Sequence, residues 1–149
     1  MSLAEPFIRH PTEAEELDWI ERCRILETWN RPDDPQVSIA RARVAPGVTT
    51  RWHRLDGITE RYLVLAGRGR VELGRMAAEV IGPGDLAYIP PGVAQRITNT
   101  ETEDLVFLAI CTPRFRPDAY EDIEPNPGPH SEGDPRRELG YQGQTNSRS

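Results

Sequence analysis

Short runs of alternating apolar and polar residues, separated by glycine and proline, most constrain what this chain can form. The runs cover roughly residues 22–29, 37–45, 49–55, 60–66, 69–74, 77–81, 85–89, 94–98 and 104–111. Alternation with period two is typical of strands that bury one face, and glycine and proline mark the turns between them. No long helical pattern interrupts the series. The sequence therefore predicts an all-β protein, built as a sandwich, jelly roll or barrel.

The two ends of the chain differ from this middle part. Thr12 is placed to cap a short N-terminal helical turn, since the acidic residues that follow it suit a helix start. Residues 117–123 are expected to form a further helical turn. From Pro125 to Ser149 the chain is polar and rich in proline and glycine, which is typical of an extended tail. We divide the chain into an N-terminal segment (1–21), a β-barrel domain (22–112) and a C-terminal extension (113–149).

Charge and cysteine content limit the classes of partner and compartment. The net charge is -6, and the arginines are interleaved with acids rather than clustered, so the sequence predicts no nucleic-acid partner. No apolar run approaches the length of a membrane span or resembles a signal peptide. Cys23 and Cys111 lie in separate apolar segments and are predicted to be core thiols, as in a reducing compartment. We expect a cytoplasmic protein without membrane association.

Three polar residues, His53, Glu60 and Gln95, fall on strand faces that a barrel can turn inward. Spacing alone does not require that they meet. Six further residues are candidates for the wall of a substrate pocket around them: Arg51, Leu55, Tyr62, Tyr88, Ile97 and Phe107. An inward arginine such as Arg51 can bind a carboxylate or phosphate through its fork of donors.

Two groups of residues resemble the sequence motifs of the cupin superfamily. The first group is Gly47, five residues, His53, then Glu60, six residues and Gly67. The second is Gly84, five residues, Pro90, then Gly92, Gln95 and Asn99. The resemblance covers roughly residues 37–112. It implies an antiparallel jelly-roll (cupin) barrel, and since cupins are commonly dimeric it also implies a homodimer.

The resemblance also implies a metal site, from which this sequence departs at two positions. Cupins usually have a second histidine where Leu55 stands and a third where Gln95 stands. His53, Glu60 and Gln95 would remain as metal ligands, for a divalent Fe, Mn, Ni or Zn ion. The residues themselves leave two alternatives open. One is a metal-free pocket in which Gln95 donates a hydrogen bond while His53 and Glu60 shuttle protons. The other is a satisfied polar interior.

The function predicted from these residues is that of a small metal-binding cupin acting on a small molecule in the barrel pocket. Glu60 and His53 are the candidate catalytic residues, because either can move a proton. The resemblance implies dioxygenase-, isomerase- or lyase-type chemistry without selecting one. A non-enzymatic barrel that binds a small ligand and a structural protein with a vestigial site are the alternatives. Whether the chain is an enzyme is left open.

Overall fold

The computed structural model describes residues 3–125, which form eleven strands and two short 3-10 turns. The turns are Glu13–Glu15 and Pro117–Ala119. The strands are β1 (Leu17–Trp19), β2 (Cys23–Trp29), β3 (Ser38–Val44), β4 (His53–Leu55), β5 (Thr59–Ala66), β6 (Gly69–Leu73), β7 (Glu79–Ile81), β8 (Leu86–Ile89), β9 (Gln95–Asn99), β10 (Leu105–Thr112) and β11 (Tyr120–Asp122).

The strands pair antiparallel into two sheets that face each other. One sheet has six strands in the order β1-β2-β3-β10-β5-β8, and the other has five in the order β11-β4-β9-β6-β7. The nine predicted runs each correspond to one strand, β2 to β10. The predicted all-β jelly-roll architecture is therefore confirmed, and so is the short N-terminal turn after Thr12.

The sheets extend beyond the predicted limits of the barrel, 22–112, at both ends. Strand β1 pairs with β2, and β11 pairs with β4, where Asp122 lies opposite His53. The helical turn predicted over 117–123 is wrong after Ala119, because the chain there continues as β11. Strands of three residues are too short for an alternating pattern to be visible in the sequence. Most of the predicted tail, 126–149, lies outside the described residues.

The apolar core fills the space between the two sheets. Alternate residues of each strand point inward and lose nearly all their exposure to water. The members of this core include Val44, Val64, Ile81, Ile89, Ile97, Leu105 and Phe107. Cys23 and Cys111 are also buried, and neither forms a disulfide. The prediction that both are core thiols is confirmed.

The N-terminal segment is held on the outside of β3 by ion pairs. The Glu16 carboxylate lies 3.0 Å from the guanidinium of Arg41 and 3.0 Å from that of Arg43. The Glu16 side chain is only 5% exposed, and its Oε2 atom accepts from both guanidinium groups. Such partly buried, charge-assisted contacts are stronger than surface ion pairs. These contacts fix the residues that precede β1 against the six-stranded sheet.

Gly67 joins β5 to β6 at a point where the backbone of another strand passes closely. Its φ is +78°, and a Cβ built there would lie 2.6 Å from the carbonyl oxygen of Asp104. Gly47 has nearly the same φ, +76°, but a Cβ there would meet nothing within 4 Å in the described chain. The two glycines therefore share one conformational demand and differ in the space around them.

Substituting these glycines by alanine separates the cost of the left-handed conformation from the cost of the close backbone approach. Gly47→Ala should reduce the free energy of unfolding by about 1–2 kcal/mol, the cost of a left-handed conformation for a residue with a Cβ. Gly67→Ala should lose about 1–3 kcal/mol more, because the backbone must also move away from the new methyl group. Urea unfolding of both variants measures the difference, and equal losses would contradict the close approach at Gly67.

Candidate functional site

A layer of polar side chains lies buried between the two sheets. On the six-stranded sheet, Glu60 stands beside Cys111, which in turn stands beside Ser38. On the five-stranded sheet, His53 stands opposite Gln95. Glu60 is 8% exposed, His53 2% and Gln95 1%. The sequence prediction that these three faces turn inward agrees with this placement.

Gln95 is held by a hydrogen bond that crosses the barrel. The hydroxyl of Tyr62, on the six-stranded sheet, donates to the Oε1 atom of Gln95 on the other sheet. The ring of Phe107 packs against the Tyr62 ring with centroids 4.4 Å apart and limits its movement. The carboxamide oxygen of Gln95 is therefore occupied within the protein.

His53 is fixed in one tautomeric orientation by the backbone. Its Nδ1 lies 2.8 Å from the carbonyl oxygen of Arg51, and since a carbonyl only accepts, Nδ1 carries the hydrogen. The Tyr120 ring stacks on the imidazole at a centroid distance of 5.1 Å. The other nitrogen, Nε2, lies 3.2 Å from the Oε1 atom of Glu21. A single proton between Nε2 and Glu21 would join them as a charge-assisted pair.

Glu21 is a site residue that the sequence analysis missed. It lies in the turn between β1 and β2, where Arg22 has φ +71°, the one positive value at a non-glycine residue in the described chain. The Arg22 guanidinium holds this turn by donating to the Thr49 carbonyl at 3.1 Å and to Glu124 at 3.0 Å. A non-glycine residue at positive φ is strained and persists only where surrounding contacts maintain it.

The Arg51 backbone connects Glu21 with His53. Its N–H donates to the carbonyl oxygen of Glu21 at 3.2 Å, and its own carbonyl accepts from His53. One residue thus sets the position of both members of the pair. Glu21 lies between Ile20 and Arg22 just before β2, a position that carries no site signal in the sequence. A turn residue at positive φ usually appears as glycine rather than arginine.

Glu60 is the buried carboxyl group without a full set of partners. Its Oε1 atom has no hydrogen-bond partner among residues 3–125. Burial raises the pKa of Glu60 to about 7, and the nearby Glu21 carboxylate acts in the same direction. His53, Gln95 and Cys111 act to lower this pKa, but they do not offset the loss of water around the carboxyl group. Glu60 therefore gains and loses a proton near neutral pH.

A pocket of about 620 Å³ opens onto Glu60. We call its inner end the floor, formed by Glu21, Ser38, Glu60 and Cys111. The wall is mainly apolar and includes Trp19, Ile25, Ile39, Ala40, Ala109 and Phe115, with Glu15, Leu17, Glu27, Thr28 and Asn30 also lining the pocket. We call its outer end the mouth, formed by Phe7, Ile8, Arg9, His10, Trp29 and Arg31. A pocket of this volume accommodates a small organic molecule.

The predicted pocket residues lie in three different environments. Of the predicted site, Glu60 reaches the pocket, and His53 and Gln95 lie behind the floor. Four residues lie in the packed interior rather than on the pocket wall: Leu55, Tyr62, Ile97 and Phe107. Arg51 is not among the residues that line the pocket, and its Nε donates to Asp122 at 2.6 Å.

The structure corrects the prediction that Tyr88 lines the pocket. It lies on the outer face of β8, is 57% exposed, and its ring lies below the Arg61 guanidinium at 5.6 Å. Its neighbours in the strand, Ala87 and Ile89, are the residues that point inward. Strand alternation predicts which residues share a face but does not state which face is inside. The prediction placed the Tyr88 face of β8 inside, whereas it is the outer face.

The predicted metal ligands do not fit a resident metal ion. Among residues 3–125, no group of three or more His, Cys, Asp or Glu side chains is arranged to hold one. Gln95 would have to contribute the oxygen that already accepts from Tyr62. His53 would have to contribute Nε2, which already faces Glu21. The donor set therefore gives the metal prediction no support, and it stays a prediction.

Comparison with known proteins identifies the fold. A model of the cupin domain family matches residues 40–111. No curated protein matches the sequence significantly. Among solved structures, a Cupin 2 conserved barrel domain protein from Salinispora arenicola is 21% identical, with 72% of this chain and 89% of that chain covered and a TM-score of 0.62.

Two further solved structures are similar over most of their length. KdgF from a Halomonas species is 17% identical, with 70% of this chain and 93% of that chain covered and a TM-score of 0.61. Streptomyces Pac13, described as a nucleoside dehydratase, is 17% identical, with 79% and 92% covered and a TM-score of 0.65. At these identities the likeness establishes the fold.

Glu60→Gln should change how stability depends on pH. Burial raises the pKa of Glu60 from 4.5 to about 7, so the folded protein holds this proton more tightly than the unfolded chain. That stabilisation is complete below pH ~4.5 and is lost as pH rises to ~7, on the order of 3 kcal/mol at ~1.4 kcal/mol per unit. Urea unfolding at about pH 5 and about pH 8 should show wild type losing stability relative to the variant. A constant difference would rule out the raised pKa.

Metal analysis of purified protein tests the unsupported metal prediction. We expect substoichiometric Fe, Mn, Ni and Zn by mass spectrometry, because the donor atoms of His53 and Gln95 are engaged within the protein. Adding each ion should leave the Tm unchanged, since only an ion that binds the folded state raises it. A stoichiometric metal that is lost in both His53→Ala and Gln95→Ala would instead establish the three-ligand site.

Proposed function

We propose that this chain, which belongs to the cupin superfamily, binds a small molecule in its barrel pocket and catalyses proton transfer to and from it. One observation carries the proposal: Glu60 lies at the floor of an apolar pocket with an unpartnered oxygen. A carboxyl group with a pKa near neutrality is suited to general acid–base catalysis. That oxygen is buried and has no partner in the described chain, and a hydroxyl group of the bound molecule that reached it would supply one.

Glu21 is the carboxyl group that complements Glu60, and His53 supports it. Glu21 also lies at the floor, and His53 behind it, at 3.2 Å, stabilises its carboxylate. Two carboxyl groups in one site take different roles when their surroundings favour opposite protonation states. Glu60, whose burial raises its pKa to about 7, holds a proton and acts as the acid. Glu21, whose Oε1 lies 3.2 Å from Nε2 of His53, acts as the base.

A lyase or isomerase reaction uses such a pair directly. In a dehydration, Glu21 takes a proton from the carbon next to a carbonyl group, and Glu60 gives its proton to the hydroxyl that leaves as water. The C–H and C–O bonds break, a C=C bond forms, and solvent returns the Glu21 proton to Glu60. Pac13, described as a nucleoside dehydratase, has the same fold, so this fold is compatible with loss of water.

The remaining sequence predictions about partners stay predictions. Leu65, Leu86 and Tyr88 are about half exposed on the outer face of the six-stranded sheet, which is compatible with the expected homodimer. Within residues 3–125, no helix has the length and hydropathy that a membrane crossing needs. The cytoplasmic location and the lack of a nucleic-acid partner are not tested by these contacts.

Turnover of neutral β-hydroxy carbonyl compounds and of uridine, followed by NMR in D2O, tests the proposal. Wild type should eliminate water from, or exchange hydrogen in, at least one of these probes. Glu60→Gln should lower kcat/KM by about 10²–10⁴, the usual contribution of a general acid. The wild-type rate should fall as pH rises through about 7, because burial raises the pKa of Glu60 to about 7 and its protonated form is the acid.

Glu79→Gln is the matched control, because it removes one carboxylate from an exposed position on β7. It should leave the rate unchanged. Equal activity in wild type and Glu60→Gln would reject Glu60 as the acid. Binding of a probe without any turnover would favour the non-enzymatic ligand-binding barrel.

A further inference from the structure

The pocket is lined by more acidic than basic side chains. The carboxylates that line it belong to Glu15, Glu21, Glu27 and Glu60. Among the described residues, the basic side chains that line it are Arg9, His10 and Arg31. These three lie at the mouth, and His10 is exposed there, so no basic side chain of the described chain reaches the floor.

Both arginines of the mouth are already paired. The Arg9 guanidinium lies 2.7 Å from the Glu15 carboxylate and also donates to the Glu27 carbonyl at 3.0 Å. The Arg31 guanidinium lies 2.6 Å from the Asp33 carboxylate. A guanidinium whose charge is balanced by its own carboxylate attracts an incoming anion weakly, and water at the mouth screens what remains.

The floor offers an anion no compensating charge. Glu60 is 8% exposed and lines the pocket there, and its unpartnered Oε1 is buried. Glu21 lies there too, and it separates His53 from the bound molecule. A carboxylate or phosphate at the floor would lose its water and face two carboxyl groups, whereas a buried charge is tolerated only where it is paired.

We propose that the pocket accepts a small molecule without negative charge and that Glu21 is the residue that excludes anions. The apolar body of that molecule lies against Trp19 and Phe115, and a hydroxyl, carbonyl or amide group lies at the floor. This inference rests on the proposed function, because it takes the same pocket as the substrate site. It adds a rule of selection: carboxylate and phosphate substrates are rejected, and uncharged ones are accepted.

Matched aromatic probes test the rule. Benzamide and benzoate have nearly the same size and differ in charge, and their Kd values can be measured by ligand-observed NMR. Benzamide should bind to wild type at least about tenfold more tightly than benzoate, since a tenfold ratio needs only a small part of the cost of an unpaired buried charge. Benzoate binding as tightly as benzamide would overturn the inference.

Glu21→Gln tests the residue assigned to the exclusion. The variant keeps the size of the side chain but removes the negative charge that a bound anion would face at the floor. The preference for benzamide should fall by about tenfold. Glu79→Gln makes the same change in net charge far from the pocket and should leave the preference intact. An equal effect of both variants would overturn the role of Glu21.

The two proposals fail in different ways. If benzamide is preferred but no probe is turned over in a Glu60-dependent manner, the proposed reaction is rejected and the charge rule stands. If turnover depends on Glu60 but benzoate binds as well as benzamide, the charge rule alone is rejected. The wild-type comparison decides the rule even if Glu21→Gln does not fold.

Discussion

The exclusion of water from the space between the two sheets is the constraint on which the site depends. Every polar group placed there must find a partner within the protein, because unpaired buried groups are costly. Gln95 is partnered by Tyr62 and His53 by the Arg51 backbone. Glu60 keeps one oxygen without a partner. The fold therefore leaves Glu60, like the hydroxyl of Tyr120, with a buried polar atom that the described chain does not satisfy.

Much of the fold and the centre of the site can be predicted from the sequence. Strands β2 to β10 follow from alternation with period two and from the glycines and prolines between them. The same alternation places Glu60 and Gln95 on inward faces, because burying one face of a strand fixes every second residue. The spacing of residues from Gly47 to Asn99 identifies the family, which a family match over residues 40–111 supports.

The rest of the site depends on contacts that no local pattern records. Glu21 reaches the pocket because the turn at Arg22 adopts an unusual φ that distant residues stabilise. Strands β1 and β11 are three residues long, so they gain their stability from pairing rather than from their own sequence. Ligation of a metal by His53 likewise depends on the groups that face its ring nitrogens, the Arg51 carbonyl and Glu21. Sequence spacing contains no information about these two contacts.

The N-terminal segment before β2 has a consequence for how this protein can diversify. The cupin family model matches residues 40–111, which include Glu60, His53 and Gln95. Glu21 and much of the mouth belong instead to the N-terminal segment, which the ion pairs of Glu16 hold against β3. Under the proposed function, reactivity and selectivity are encoded in separate stretches of one chain. A changed N-terminal segment would then present a different entrance to the same Glu60, so a lineage of such proteins would be able to acquire new ligands without redesigning the barrel.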